Sequence, residues 1–162
     1  MILALESSCD ETAAAVLSPP SKLLSNIVSS QAKEHEPYGG VVPELASRNH
    51  LVLLKPTVEN ALNKAGILFG EIDAFAATAG PGLSSSLLIG NTAAKSFALS
   101  NQKPFIAINH MEGHLCSPFL ETQIQSHISM IVSGGHTLLI KVNKFDDYEI
   151  IGRSVDDAAG EA

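Results

Sequence analysis

The chain has 162 residues, 45% of them hydrophobic and 17% charged, which is enough apolar material for one packed core, or for one domain and part of another. The formal net charge of −7 excludes a composition-level case for nucleic-acid binding, so any contact with phosphates needs a local basic patch, further residues or partner proteins. The apolar runs fall far short of the roughly 20 residues that cross a bilayer, and Met1-Ile2-Leu3-Ala4-Leu5 followed by Glu6 lacks the basic start of an export signal, so no membrane span and a cytoplasmic location are expected.

The apolar runs Ile2 to Leu5 and Thr12 to Leu17 predict two strands joined by the polar turn Ser7-Ser8-Cys9-Asp10-Glu11. Pro19-Pro20-Ser21 predicts the next turn and Leu23 to Ser30 a third antiparallel strand. Pro43 suits the first position of a helix, and Leu45, Val52, Leu53, Ala61 and Leu62 recur at helical spacing up to Gly66, with a kink or break expected at Pro56. Asp73 to Thr78 then reads as a short buried strand and Gly80-Pro81-Gly82 as a tight turn. Ser84 to Leu99 follows as a helix opened by a capping serine. Phe105 to Ile108 predicts a strand and Asn109 to Leu120 a helix. From His127 the opening pattern repeats, with strands at Ile128 to Val132, Thr137 to Val142 and Tyr148 to Gly152 around the turn Ser133-Gly134-Gly135-His136. In both copies an apolar strand enters a turn of small polar residues and leaves through a threonine, Thr12 or Thr137. The segment from Asp156 to Ala162 reads as the start of another helix, and the native polypeptide is expected to continue beyond it.

Three groups of residues carry chemistry. His110 and His114, at i and i+4, fall on one face of a helix and could share a divalent ion, although two ligands do not complete a site and a pair of surface histidines has the same spacing. Glu112 stands two residues after His110, so the zinc-protease pattern His-Glu-x-x-His is absent. The turns Ser7 to Glu11 and Ser133 to His136 can aim backbone N–H groups and hydroxyls at a phosphate, and Asp10 and Glu11 could orient a metal-bound phosphate or act as a base. Ordinary hairpin turns use the same residues, but duplication of the loop favours the nucleotide reading. A P-loop motif does not occur. Glu44 and Arg48 are spaced for a structural ion pair. Cys9 and Cys116 make no disulfide framework and are expected as thiols.

Taken together, Glu6-Ser7-Ser8-Cys9-Asp10-Glu11-Thr12, Gly39-Gly40-Val41-Val42-Pro43-Glu44-Leu45-Ala46-Ser47-Arg48, Ala79-Gly80-Pro81-Gly82-Leu83, Asn109-His110-Met111-Glu112-Gly113-His114, Ser133-Gly134-Gly135-His136-Thr137 and Asp156-Asp157-Ala158-Ala159-Gly160-Glu161-Ala162 give the chain a resemblance over its whole length. It resembles the universal tRNA N6-adenosine threonylcarbamoyltransferases, formerly described as glycoprotein endopeptidases. The resemblance implies an α/β protein of the actin-like ATPase fold, shared with sugar kinases and heat-shock chaperones and built from ribonuclease H-like lobes. Residues 1–109 would form the first lobe, 110–126 a metal-site helix and connection, and 127–162 the beginning of the second lobe.

The implied reaction moves a threonylcarbamoyl group from threonylcarbamoyl-AMP to the exocyclic nitrogen of the adenosine 3′ of the anticodon, in tRNAs that read codons beginning with A. His110 and His114 would bind iron or zinc with an aspartate that this sequence does not contain. Ile131, Val132, Ser133, Gly134 and Gly135 would line the pocket for ATP or threonylcarbamoyl-AMP, with Asp10 and Glu11 near the reacting groups. The implied partners are tRNA, a smaller degenerate paralogue, a P-loop ATPase, and a second copy through the first lobe. Transfer by the 162 residues unaided is not expected. Two rival readings remain at this stage. A glycoprotein endopeptidase would need the absent His-Glu-x-x-His motif, and a noncatalytic scaffold subunit would lack the histidine pair that this chain keeps.

Overall fold

The structure, a computed structural model, describes every residue except Glu121, Gly134, Phe145, Glu161 and Ala162. It divides into two compact units, Met1–His110 and Met111–Ala162.

In the first unit, alternation of apolar and small side chains builds strands β1 (Ile2–Glu6), β2 (Glu11–Ser18) and β3 (Lys22–Ser30), which pair antiparallel in sequence order. A four-residue turn of helix, α1 (Ala32–His35), leads to the long helix α2 (Pro43–Ala65), which carries the chain to the other side of β1. There β4 (Ala74–Gly80) pairs parallel to β1. Helix α3 (Ser84–Ser100) returns the chain to β5 (Phe105–Asn109), which pairs parallel to β4. The resulting five-stranded sheet has the order β3-β2-β1-β4-β5.

Both long helices pack on one face of this sheet. The stripe Ala46, His50, Leu54, Val58, Ala61 and Leu62 turns α2 inward at helical spacing. Leu54, Val58, Ala61 and Leu62 of this stripe meet Leu3, Leu5, Ala14, Val16 and Phe75 of the sheet. Burying one such Leu or Val stabilises the fold by about 1.5–3 kcal/mol. Helix α3 turns Ser86, Gly90, Ala94 and Ala98 inward, a row of small residues that brings its backbone close to the strands. Phe69, Phe75 and Phe97 close one end of the core, with ring centroids 5.2–5.9 Å apart. The opposite face of the sheet carries a shallow groove lined by small side chains, among them Ala4, Ala13, Ala15 and Ala76.

The second unit opens with α4 (His110–Cys116), whose first residue belongs to the first unit, and a 3-10 turn at Ser117–Phe119. It continues as an antiparallel meander of β6 (His127–Val132), β7 (Thr137–Lys144) and β8 (Asp147–Arg153). Its core is Leu115, Ile131, Ile140 and Val142, flanked by Met111, Ile124 and Leu138. The meander repeats the connectivity of β1, β2 and β3.

Four local expectations need correction. Helix α2 runs through Pro56 without a break, because Pro56 lies on the exposed face, where water can take the carbonyl bond that the missing N–H leaves open. Gly66 ends it in the left-handed region at φ 69°, which a residue with Cβ rarely adopts. Ser84 does not cap α3; the cap position is Leu83, with no side-chain hydrogen bond, and the Leu83 amide instead donates to the Ser8 carbonyl at 2.8 Å. The expected helix from Asn109 to Leu120 is shorter, since Pro118 removes a donor and the last turn becomes 3-10. Residues 155–160 form bends and a turn instead of a helix: the Ala159 amide donates to the Thr137 hydroxyl at 2.8 Å, which ties the segment to the start of β7. No helix of the described residues is long and apolar enough to cross a membrane.

Candidate functional site

Strands β1, β4 and β5 are mutually parallel, so their carboxyl ends lie along one edge of the sheet. That edge is where open α/β sheets hold ligands, at the point where the chain changes direction across the sheet. The three ends deliver Glu6-Ser7-Ser8, Gly80-Pro81-Gly82 and Asn109-His110 to one place.

Glu6 organises this edge. Its carboxylate accepts the Ser8 amide at 2.5 Å and the Thr78 hydroxyl, and lies 3.5 Å from His110 Nδ1. The Ser8 hydroxyl is also 3.2 Å from His110 Nδ1. Burial by itself would raise the pKa of this carboxyl, but the hydrogen bonds from His110, Ser8 and Thr78 outweigh it and hold the pKa at about 2. Asn91 of α3 donates to the Thr78 carbonyl and so ties the end of β4 to the helix that follows.

The turn between β1 and β2 is fitted against α3 more closely than any side chain would allow. The Ser7 hydroxyl donates to the Ser86 carbonyl at 2.8 Å and accepts the Gly90 amide at 3.0 Å, placing itself between two groups that the helical ladder would otherwise join. A Cβ on Gly90 would stand 2.5 Å from that hydroxyl oxygen, and one on Gly82 would stand 2.6 Å from the Ser8 carbonyl. Asp10 and Glu11 follow on this anchored turn, Asp10 half-buried and Glu11 exposed at the first position of β2. Beside them, burial first and then the neighbouring Asp10 push the Cys9 thiol up to about 11. Both Cys9 and Cys116 are free thiols.

His110 and His114 occupy the first and fifth positions of α4, His110 half-buried and His114 exposed. Among the described residues no three His, Cys, Asp or Glu side chains gather into a group that could hold a metal. In the second unit, the side chain of Ile131 packs in the core, Val132 is exposed, and Gly135 is exposed with open space where a Cβ would stand. Ser133 closes its own turn: its amide donates to the His136 carbonyl at 2.8 Å, and its hydroxyl accepts the His136 amide at 3.1 Å. Gly134 lies outside the described residues.

Sequence reading missed Glu6 and Thr78 as members of the site. The available signal was Glu6 itself, a carboxylate at the end of an otherwise apolar strand. The expected ion pair between Glu44 and Arg48 forms at 2.5 Å on the exposed face of α2, away from these groups.

The fold is similar to that of YeaZ from Pseudomonas aeruginosa, with a TM-score of 0.61 at 18% identity, covering 94% of this chain and 65% of that one. It is also similar to the ethanolamine utilization protein EutJ from Carboxydothermus hydrogenoformans, with a TM-score of 0.51 at 15% identity, covering 98% and 52%. The chain has the actin-like ATPase fold. Among curated proteins it is 54% identical over 162 residues to a tRNA N6-adenosine threonylcarbamoyltransferase from Treponema denticola and 50% identical over 163 residues to one from Pelobacter propionicus. Those matches cover 99% and 100% of this chain and 48% of each relative, so the chain spans about half their length. The family model for tRNA N6-adenosine threonylcarbamoyltransferase matches residues 22–162, and the chain belongs to that family.

Proposed function

We propose that the protein transfers a threonylcarbamoyl group from threonylcarbamoyl-AMP to N6 of the adenosine 3′ of the anticodon, in tRNAs that read codons beginning with A. The observation that carries this reading is the edge of the first sheet, where β1, β4 and β5 end beside a turn bearing two carboxylates, in a chain of this family. Asp10 or Glu11 takes the proton from the adenosine amine as it attacks the carbamoyl carbon, and AMP leaves. The unpaired N–H groups at the start of α3 and its positive dipole end favour an anion at the same edge. Ile131, Val132, Ser133, Gly134 and Gly135 hold the nucleotide, ATP or threonylcarbamoyl-AMP, and the open space at Gly135 supports a close approach to its backbone.

His110 and His114 are proposed to hold one iron or zinc ion, with a further ligand from outside this chain. The fit rests on His110, whose Nδ1 is engaged by the Ser8 hydroxyl and the Glu6 carboxylate, the outer arrangement that orients metal-binding imidazoles. Such an ion would polarise carbamoyl or phosphate oxygens. The exposed Leu51 and Val52 on α2 and Leu88 on α3 support pairing of the first unit with the smaller paralogue or with a second copy. A P-loop ATPase and tRNA complete the proposed partners. The net charge of −7 supports a reading in which partner proteins or a local basic patch supply much of the tRNA contact.

The test is a transfer assay on the full-length protein with its partners, threonylcarbamoyl-AMP and unmodified tRNA, read by mass spectrometry of nucleosides. Formation of N6-threonylcarbamoyladenosine, lost when Asp10→Asn and Glu11→Gln are combined, supports the reading. An unmodified tRNA pool with wild-type protein, or full transfer by the double variant, overturns it.

A further inference from the structure

His50 sits on α2, 38 residues from Thr12 and 41 from Cys9 in sequence, and is completely buried. Its ring nitrogens meet different partners. Nε2 lies 3.0 Å from the Cys9 carbonyl, which can only accept, so Nε2 carries the proton and donates. Nδ1 is then a lone pair. It accepts from the Thr12 hydroxyl at 2.7 Å and faces the Gln31 amide nitrogen at 3.4 Å. These three partners are together consistent with a ring that carries its proton on Nε2.

Gln31 extends the arrangement by one residue. It is also completely buried, and its backbone amide donates to the Asp10 carbonyl at 3.1 Å. Two consecutive carbonyls, those of Cys9 and Asp10, are thus each held by a buried donor from outside the turn. The side chains that follow these carbonyls are the carboxylates of Asp10 and Glu11. Fixing the carbonyls fixes the peptide planes between them, and with the planes the directions in which the two carboxylates leave the backbone. A displacement of about 1 Å at a reacting group costs roughly 100-fold in rate, so a buried donor at this position bears on catalysis without touching substrate.

We propose that His50 is the positioning residue of the Asp10–Glu11 turn, its Nε2–H holding the Cys9 carbonyl so that the two carboxylates keep one orientation. This rests on the reading above that these carboxylates serve the transfer. The other buried polar contacts of α2, from Ser25 to the Ala61 carbonyl, between Ser29 and Thr57 and from the Gln31 side chain to the Ala46 carbonyl, tie the helix to β3 and the residue after it and do not reach the Cys9 and Asp10 carbonyls.

The experiment uses full-length protein labelled uniformly with ¹⁵N and three substitutions. His50→Gln retains an N–H near the Nε2 position, His50→Asn stops short of Cys9, and His50→Leu keeps bulk without polar atoms. In wild type, long-range ¹H–¹⁵N spectra should show His50 protonated on Nε2 alone; a ring protonated on Nδ1 overturns the proposal whatever the variants do. In folded His50→Asn, kcat should fall about 10–100-fold with KM for threonylcarbamoyl-AMP within about twofold, and His50→Gln should recover most of the loss. A folded His50→Asn with wild-type kcat, or a His50→Gln no better than His50→Leu, overturns it. The backbone amide resonances of Asp10 and Glu11 should move in His50→Asn, and their constancy counts against the pinning. Asp10→Asn and Glu11→Gln assayed alongside isolate the underlying reading, since full transfer by both overturns that reading while the tautomer and the resonances still decide the role of His50.

Discussion

The Ser7 hydroxyl accepts the amide proton of Gly90 at 3.0 Å, joining residues 83 apart in sequence and setting a strand-end turn into the body of a helix. The contact leaves no room at Gly90, where a Cβ would fall 2.5 Å from the Ser7 oxygen. Gly90→Ala is therefore expected to lower unfolding free energy by about 1–3 kcal/mol, as overpacking does. Urea denaturation of Gly90→Ala, Ser7→Ala and the double variant checks it. Part of the cost should disappear in the Ser7→Ala background, giving a coupling energy above about 0.5 kcal/mol, and strict additivity would contradict the contact.

Gly82 presents a harder obstacle, because its neighbour is the Ser8 carbonyl, a backbone group that cannot swing aside. Gly82→Ala should cost more than Gly90→Ala, since it also threatens the hydrogen bond from the Leu83 amide to that carbonyl. The same denaturation series ranks the two, and a smaller loss at Gly82 would refute the ordering.

Pro56 makes the opposite prediction. It lies inside α2 on the exposed face, where it forfeits one helical hydrogen bond and packs against nothing in the core. Pro56→Ala should raise stability by about 1–2 kcal/mol, the helix-propensity gain less the greater freedom of the unfolded chain. A thermal melt no higher than that of wild type would mean that the helix needs its proline.

Cys9 should be a slow nucleophile despite partial exposure. Its folded pKa of about 11 stands above the ordinary 9.0, because burial and then the adjacent Asp10 disfavour the thiolate. The sign follows directly: a raised pKa leaves less thiolate at any pH below it, so alkylation by iodoacetamide at pH 8 should run about 100-fold slower than for an unperturbed thiol and accelerate as pH rises towards 11. Asp10→Asn should speed it. Equal rates for Cys9 in native and urea-unfolded protein at pH 8 would refute the shift.

Metal capture supplies a test independent of turnover. His114→Ala should lower zinc or iron affinity at least about tenfold, and Glu6→Gln should lower it about 10–100-fold through the orientation of His110. Elemental analysis and calorimetric titration of the purified full-length variants read this directly. Unchanged affinity in Glu6→Gln would remove Glu6 from the site.

The local elements were legible because local physics sets them. Apolar runs bounded by polar and proline turns marked β1, β2 and β3, and Gly66 marked the end of α2 because only a left-handed residue closes that helix cheaply. The repeat of the opening pattern from His127 was legible too, and the second meander repeats the connectivity of the first. The capping serine was misread because a local cap signal cannot anticipate that Leu83 would bond to Ser8.

By itself the sequence determined the strands, the two long helices and the family, since the first two depend on residue type and local spacing and the third on motifs in a fixed order along the chain. The tertiary structure alone decided that Glu6 meets Thr78 and His110, and that His50 holds the Cys9 carbonyl. Those meetings follow from parallel pairing of β1 with β4 and β4 with β5, and from docking of α2 on the sheet. Partners there are tens of residues apart, and no local periodicity encodes which strand ends will share an edge.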